Sequence, residues 1–193
     1  VAAIGTGRAI HSLTISAEVA GVIEDIRFRP GETVKAGQEL LKLRSEAEEI
    51  AVKLAQVKVD EADTNLKRLQ GLVERNAVPT VQVDQARTAL ALARAELEAK
   101  QYELRRRLVR APFDGVMGLT TLGKGDYLAQ GAAIATIDDR SSLLVAFVVS
   151  ERVAGAFTLG HDVRVTTPAL AGAVFRGKIT ALDTRVDAAS RTL

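Results

Sequence analysis

The sequence predicts a mostly β protein that carries a long antiparallel coiled-coil α-hairpin. Three observations predict it. A glycine pattern occurs twice, a segment with heptad spacing of apolar residues separates the two copies, and short alternating segments bounded by Gly and Pro follow the second copy. We therefore expect a two-part β unit, a helical insert and a further antiparallel β region in an elongated, modular arrangement.

The glycine repeat predicts two copies of one small β unit. Residues 17–43 align without a gap on residues 111–137, an offset of 94 (115 − 21 = 94), and most apolar positions agree. In both copies the glycines are ten and then six residues apart. We expect them at turns or at close backbone approaches, where a side chain is costly. They are Gly21, Gly31 and Gly37 in the first copy, and Gly115, Gly125 and Gly131 in the second.

The segment between the copies predicts two helices. Its apolar residues follow 3-4 spacing, which is typical of a coiled-coil seam. The first seam is Val52, Ala55, Val59, Ala62, Leu66, Leu69 and Val73, and the second is Val83, Ala86, Leu90, Ala93, Leu97 and Leu104. Pro79 breaks the helix between them, because proline disfavours helical geometry at the residue before it. The favoured arrangement is an antiparallel hairpin over residues 47–108. The alternative is that both helices pack on a globular body.

The region after the second copy predicts further β structure. Residues 143–149 form an apolar run that suits a buried strand, and residues 159–165 and 177–182 alternate like antiparallel strands. Residues 150–154 are expected to form a short helical turn, with Ser150 as its N-cap.

Composition argues against the common kinds of chemical site. The chain has no Cys, one Met, and two His without metal-ligand spacing, His11 and His161. We find no phosphate-binding loop and no basic stripe interleaved with aromatic residues, so we expect no catalytic site, metal, cofactor or nucleic acid. The arginines at 105–107 and 110 could form a lipid or nucleic-acid patch. The favoured interpretation is that they complement a helix C-terminus.

No apolar run approaches the roughly 20 residues that a membrane-spanning helix needs. The sequence begins without Met, and its last residues resemble the start of a strand. We therefore expect a longer protein, with any membrane anchor outside this chain.

The two repeats resemble the half-motifs of the biotinyl/lipoyl carrier fold, a flattened β sandwich. In that family a lysine carries the cofactor, and the matching positions here are Ala47 and Ser141. Neither residue can form the amide link, so a cofactor-carrier function is the less favoured alternative.

The paired motifs, with a helical hairpin between them and Ala-Pro-Phe-Asp-Gly in the second, resemble the periplasmic adaptors of bacterial efflux pumps. These adaptors, also called membrane fusion proteins, serve resistance-nodulation-division pumps. The resemblance implies a β-barrel strand at 1–16, a lipoyl-like domain at 17–46 and 109–140, a helical hairpin at 47–108, and an incomplete β-barrel at 141–193.

The resemblance also implies a function without catalysis. Such adaptors link an inner-membrane drug transporter to an outer-membrane channel, assemble into a ring of about six copies, and are anchored to the inner membrane on its periplasmic side. An adaptor of an ATP-driven or other exporter is the alternative. Family adaptors contact the channel through an Arg, a Leu and a Ser at the hairpin tip. Arg68 and Leu72 match, whereas Pro79, followed by Thr80, stands at the Ser position.

Overall fold

The computed structural model describes residues 3–73, 75, 77–149, 155, 157–168 and 173–182, in two compact units: residues 10–141, and residues 1–9 with 142–193. The elements in chain order are β1 (Gly5–Ser16), β2 (Gly21–Ile26), β3 (Thr33–Val34), β4 (Glu39–Leu43), α1 (Glu46–Val73), α2 (Thr80–Arg105), β5 (Leu108–Arg110), β6 (Gly115–Met117), β7 (Tyr127–Leu128), β8 (Ala133–Phe147), β9 (Asp162–Thr166) and β10 (Val174–Lys178).

The strands form three sheets. One four-stranded sheet has the order β1-β8-β6-β3, a second has the order β5-β4-β2-β7, and β9 pairs with β10. The prediction of a mostly β protein with two helices in its sequence is confirmed.

The two glycine repeats build one β unit by exchanging strands. In β2, Gly21 pairs with Leu128 of β7, and in β6, Gly115 pairs with Val34 of β3. The offset of 94 residues relates these two pairs to each other (21 + 94 = 115; 128 − 94 = 34). Each copy therefore completes the sheet of the other, which confirms the internal repeat as a structural symmetry.

Backbone hydrogen bonds outside the strands follow the same symmetry. The Gly31 N–H donates to the Met117 C=O at 2.8 Å, and the Gly125 N–H donates to the Ile23 C=O at 2.9 Å. Adding 94 to 31 and subtracting it from 117 converts the first bond into the second. The turns that carry these glycines are thus held by the opposite copy, so neither half is expected to be stable alone.

The core of this unit uses equivalent positions of both repeats. The largest fully buried side chains are Ile23, Val34, Leu40, Leu41, Leu43, Met117, Leu128 and Ile137. Ile23 and Met117 are equivalent, as are Val34 and Leu128, and Leu43 and Ile137, so the apolar agreement in the sequence marks the residues removed from water.

The six repeat glycines have two different structural roles. Four of them adopt positive φ between 79° and 96°, a region that residues with a Cβ rarely occupy, and these are Gly31, Gly37, Gly125 and Gly131. Gly21 and Gly115 instead begin β2 and β6 at points where neighbouring groups approach closely. Both expected reasons for glycine therefore occur within one pattern.

Helices α1 and α2 pack against each other. Their shared core consists of Val59, Leu66, Val83, Ala86 and Leu90, flanked by the half-buried Ala62, Leu69, Val73, Ala93 and Leu97. Ion pairs cross between the helices, from Lys58 to Glu96 at 2.8 Å and from Arg94 to Asp63 at 3.7 Å. All of the core residues belong to the two predicted seams.

Neighbouring strands hold the base of the two helices. α1 follows β4, α2 precedes β5, and Leu41 of β4 pairs with Val109 of β5. Arg107 reinforces this junction, because its guanidinium contacts Glu48 of α1 at 2.5 Å and donates to the Ala20 C=O at 2.8 Å. The helices are therefore fixed to the β unit by backbone pairing and by a half-buried ion pair.

The second unit contains the antiparallel pair β9 and β10, in which Arg164 pairs with Arg176. Strands were expected in this region, and the observed bounds of two of them differ by a few residues: β9 begins at Asp162 and β10 begins at Val174. Most of the run that was expected to form a buried strand is the end of β8, and its predicted burial was wrong, because Leu143 is 68% exposed. Ile179 is buried, and its N–H donates to the His161 C=O at 3.0 Å. The predicted helical turn at residues 150–154, with Ser150 as its N-cap, lies outside the described residues.

Candidate functional site

The residues expected to contact a partner lie at the end of α1 and the start of α2. Arg68 and Leu72 are four residues apart near the C-terminus of α1, so they occupy the same face of the helix. Pro79 precedes α2, and Thr80 is its first residue. Six residues separate Val73, the last residue of α1, from Thr80, so the end of one helix and the start of the next are close along the chain.

Arg68 is exposed and makes a hydrogen bond within its own helix. Its Nη2 donates to the Asn65 Oδ1 at 2.7 Å. A guanidinium carries five N–H donors in a fixed fork, so this single bond leaves donors directed to the surface. Arg68 is therefore able to bind a carboxylate or a carbonyl group presented from outside the chain.

Leu72 is half-buried beside the helix connection. Its C=O accepts hydrogen bonds from the Ala77 N–H at 2.9 Å and the Arg75 N–H at 3.2 Å, which end α1. Among the described residues, the neighbouring Val73 packs against the core shared by the helices, whereas Leu72 does not belong to that group. Its side chain is therefore not required to complete the core.

Pro79 sets the entry into α2. Its φ of −67° and ψ of 144° are extended, and its C=O accepts the Gln82 N–H at 3.1 Å. Proline holds φ near this value without cost, so it fixes the direction in which α2 begins. Thr80 follows it with an exposed side chain.

His11 and several acidic residues have structural neighbours. His11 contacts Asp139 at 3.4 Å, Ser12 donates to Asp138 at 2.6 Å, and Ser45 donates to Glu49 at 2.8 Å. Hydrogen bonds from Ser141 lower the pKa of Asp139, with a smaller effect of His11. Within the described ranges, no three metal-ligating side chains group together.

Asp114 has a role that the sequence did not indicate. It belongs to the Ala-Pro-Phe-Asp-Gly motif, and its carboxylate accepts the Ala36 N–H at 2.7 Å and a bond from the Lys35 Nζ at 3.2 Å. Both bonds lower the pKa of Asp114, and the bond from the Ala36 N–H has the larger effect. Asp114 thus connects the second repeat to the first.

The two possible cofactor-attachment positions lie in regular elements. Ala47 is the second residue of α1, and Ser141 lies inside β8, where its N–H donates to the Asp139 Oδ1 at 2.9 Å. Neither residue is a lysine, so the chain offers no amine for a carrier-type amide link at these positions.

The arginines after α2 have acidic or carbonyl partners. Arg106 contacts Glu18 at 3.4 Å, Arg107 contacts Glu48 at 2.5 Å, and Arg110 contacts Glu39 at 2.7 Å. These contacts favour the interpretation that the cluster anchors the helices over the interpretation that it binds nucleic acid. In the part of the chain that the structure describes, no helix combines the length and apolar character needed to cross a membrane.

Comparison of the sequence with protein families gives two matches. The profile of the CzcB-like barrel-sandwich hybrid domain matches residues 11–139, and the profile of the CusB-like β-barrel domain matches residues 144–193. The first match covers the two repeats and both helices, and the second covers the region after them.

Curated relatives match over most of this chain. The multidrug resistance protein MdtA of Proteus mirabilis is 24% identical over 99% of this chain and 52% of its own length. The cobalt-zinc-cadmium resistance protein CzcB of Cupriavidus metallidurans is 27% identical over 77% of this chain and 32% of its own length. The chain spans about half the length of the first curated relatives that it matches.

Among solved structures, a MacA-MexA chimera that contains the Pseudomonas aeruginosa MexA α-hairpin domain is similar in fold. It superposes with a TM-score of 0.84 at 24% identity, over 94% of this chain and 66% of the chimera. At this identity the similarity establishes the fold alone.

Proposed function

This chain belongs to the membrane fusion family of periplasmic adaptors with a CzcB-like barrel-sandwich hybrid domain, and from that premise we propose that it links an inner-membrane efflux transporter to an outer-membrane channel. In this proposal the chain is not an enzyme, and it contributes geometry and binding surfaces. The transporter supplies the energy.

The observation that carries the proposal is the pair of helices inserted between two interlocked β repeats. We propose that they form an antiparallel coiled-coil hairpin. With 28 residues in α1, the hairpin would span roughly 42 Å at a rise of 1.5 Å per residue. Such a length suits a connector that meets a partner at some distance from the β unit, and its apolar core supports a stiff rod.

The proposed contact with the channel is made by Arg68 and Leu72. Arg68 offers hydrogen-bond donors and a positive charge, and Leu72 offers an apolar side chain that the helix core does not require. Pro79 and Thr80 would shape the adjoining turn. Pro79 stands where drug-pump adaptors carry Ser, and this departure supports a second candidate, an adaptor of an ATP-driven or other exporter with different channel geometry.

The remaining parts of the chain are proposed to serve assembly. Residues 17–46 and 109–140 would form a lipoyl-like domain that packs against copies of itself in a ring. Residues 1–16 and 141–193 would contribute to a β-barrel domain that contacts the transporter. The protein would act in the periplasm, attached to the inner membrane by a segment outside this chain. The relatives are named for both multidrug and metal resistance.

Site-specific cross-linking tests this proposal. The chain has no Cys, so Leu72→Cys or Thr80→Cys introduces a single reactive thiol at the proposed tip. Leu92→Cys, which is 68% exposed in the middle of α2, is the matched control. In cells that contain the complete pump, the tip variants are expected to cross-link to the outer-membrane channel, and the control is not. Capture of only another copy of this protein at the tip would contradict the channel assignment.

A further inference from the structure

A groove within residues 10–141 lies between the edges of two sheets. It has a volume of about 570 Å³ and is lined by residues 13–16 of β1, by β5, and by side chains that flank them. β1 ends one four-stranded sheet, and β5 ends the other. Neither the proposed docking residues nor the core of the helix pair uses this groove.

The groove exposes strand edges as well as side chains. Four consecutive residues of β1 and three of β5 line it. Side chains alternate between the two faces of a strand, so consecutive residues line one groove only where the backbone edge faces it. The Leu43 N–H donates to the Arg107 C=O at 2.8 Å, and the alternation of bonds in an antiparallel pair then directs the Leu108 backbone away from β4.

The side chains of the groove combine an apolar floor with a positive rim. Leu13, Ile15 and Val109 supply apolar surface. The groove is also lined by one acidic residue, Glu18, and by three arginines, Arg105, Arg106 and Arg110. Arg106 pairs with Glu18 and Arg110 pairs with Glu39, whereas the Arg105 guanidinium lies 5.9 Å from the Tyr102 ring centre. The excess charge favours an anionic occupant.

We propose that the groove binds an extended acidic segment of a partner protein, which adds as a strand along the edge of β5. Main-chain groups of Leu108 would bond the incoming backbone, the floor would take its apolar side chains, and Arg105 would bind a carboxylate. An exposed edge of hydrogen-bonding groups is a template for an added strand, and alternate side chains then provide selectivity. This inference is independent of the proposed efflux function.

Fluorescence anisotropy with the purified chain tests the proposal. The probe is a fluorescein-labelled peptide of about eight residues that alternates Glu and Val, and the matched control peptide alternates Lys and Val. The acidic peptide is expected to bind saturably and to weaken with added salt, because the charges are exposed. The basic peptide is expected not to bind.

Variants of the chain locate the site. Arg105→Glu is expected to weaken binding at least about tenfold, or ~1.4 kcal/mol. Arg87→Glu is the matched control, because it changes an exposed arginine of α2 roughly 27 Å away along the helix and is expected to leave the affinity unchanged. Equal effects of the two substitutions would contradict the assignment, and circular dichroism checks that both variants are folded.

Strand addition itself is tested through the peptide backbone. N-methylation of alternate amides in the acidic peptide keeps the charges but removes hydrogen-bond donors, and it is expected to abolish binding. Peptide binding is also expected to slow hydrogen exchange at the Leu108 amide. Undiminished binding of the methylated peptide, or equally tight binding of decanoate, would show that the groove takes simple anions and would overturn the proposal.

Discussion

At the scale of single residues, the same repeat position is glycine for two different reasons. A Cβ added at Gly115 would lie 2.8 Å from the Ile137 Cγ1 and 2.9 Å from the Asp138 C=O oxygen. A Cβ added at the equivalent Gly21 would lie 2.9 Å from the Arg107 Nη1, the end of a flexible side chain. Glycine at position 115 therefore leaves room for a core side chain and a backbone carbonyl, whereas glycine at position 21 leaves room for the Arg107 side chain that anchors the helices.

This difference predicts unequal costs of two matched substitutions. Gly115→Ala is expected to lower the free energy of unfolding by about 2–3 kcal/mol, because a core side chain and a backbone carbonyl must both move. Gly21→Ala is expected to cost less, about 1 kcal/mol, because only the Arg107 side chain must shift, which weakens the bond from its Nη1 to the Ala20 C=O. Urea unfolding followed by circular dichroism measures both, and equal costs would show that the two sites are equally crowded.

Asp114 predicts a pH-dependent contribution to stability. The Ala36 N–H and Lys35 lower the pKa of its carboxyl group, so the native state favours the ionised form. The stabilisation is complete above the unfolded pKa of about 4 and is lost as the pH falls through the lower folded pKa. Asp114→Asn is therefore expected to lower the melting temperature near neutral pH, and the difference from the unaltered protein should narrow below about pH 4.

Thermal melts across this pH range check that prediction. Glu61→Gln, a change on the exposed surface of α1, serves as the control. Asp114 and Lys35 are both exposed, so added salt should reduce the Lys35 part of the effect. A difference that stays constant from neutral to acidic pH would show that the charge of Asp114 does not contribute.

At the scale of elements, the two helices depend on a narrow apolar core. Leu90 is 5% exposed within that core, and Leu92, two residues along α2, is 68% exposed. The rotation of 100° per residue places these two leucines on opposite sides of the helix. Substituting each leucine in turn therefore distinguishes the contribution of burial from the contribution of helix propensity.

This contrast in burial predicts different stability losses for two leucine truncations. Leu90→Ala is expected to lower the free energy of unfolding of the helical region by about 2–4 kcal/mol, from lost burial and the cavity that remains. Leu92→Ala is expected to change it by about 0.5 kcal/mol or less. Thermal melts at 222 nm compare the two, and similar losses would mean that the outer face of α2 is also packed in solution.

The sequence predicted the elements whose signal is periodic. Heptad spacing identified the side chains that pack between the two helices, and the glycine repeat identified two equivalent β copies. Both signals are periodic because each reflects a geometric period of the structure. The contact of Arg107 with Glu48 and the bond of Asp114 to Ala36 were not predictable in this way. They join residues 59 and 78 positions apart, and their partners are determined by tertiary packing.

The candidate site was predictable only through family resemblance. No local pattern marks Arg68, Leu72 or Thr80 as binding residues, because exposed Arg and Leu are common on helices. Pro79 alone had a clear local signal, and the structure places it before α2, as its backbone preference predicts. The binding roles of these residues remain predictions.

At the scale of the whole molecule, the helix pair is attached to the interlocked repeats at the paired strands β4 and β5. The interlocked repeats supply a rigid base, because turns of each copy are bonded to the other. The helices are inserted at the paired strands β4 and β5, so a force on the helices is transmitted to the sheet through backbone bonds and through Arg107. Such a base is suited to holding a binding tip in a fixed orientation.

The proposed docking role of Arg68 predicts a loss of export when the charge of this residue is reversed. Arg68→Asp is expected to abolish export by the assembled pump, because it places a negative charge where a hydrogen-bond donor is proposed to meet the channel. The substitution should leave folding intact, since the side chain is exposed and bonds only to the nearby Asn65 within the described structure. Arg87→Asp, on an exposed turn of α2 where Arg87 pairs with Asp84, is the control and should leave export unchanged. Export is measured as resistance at matched protein levels, and full resistance of Arg68→Asp would remove Arg68 from the docking site.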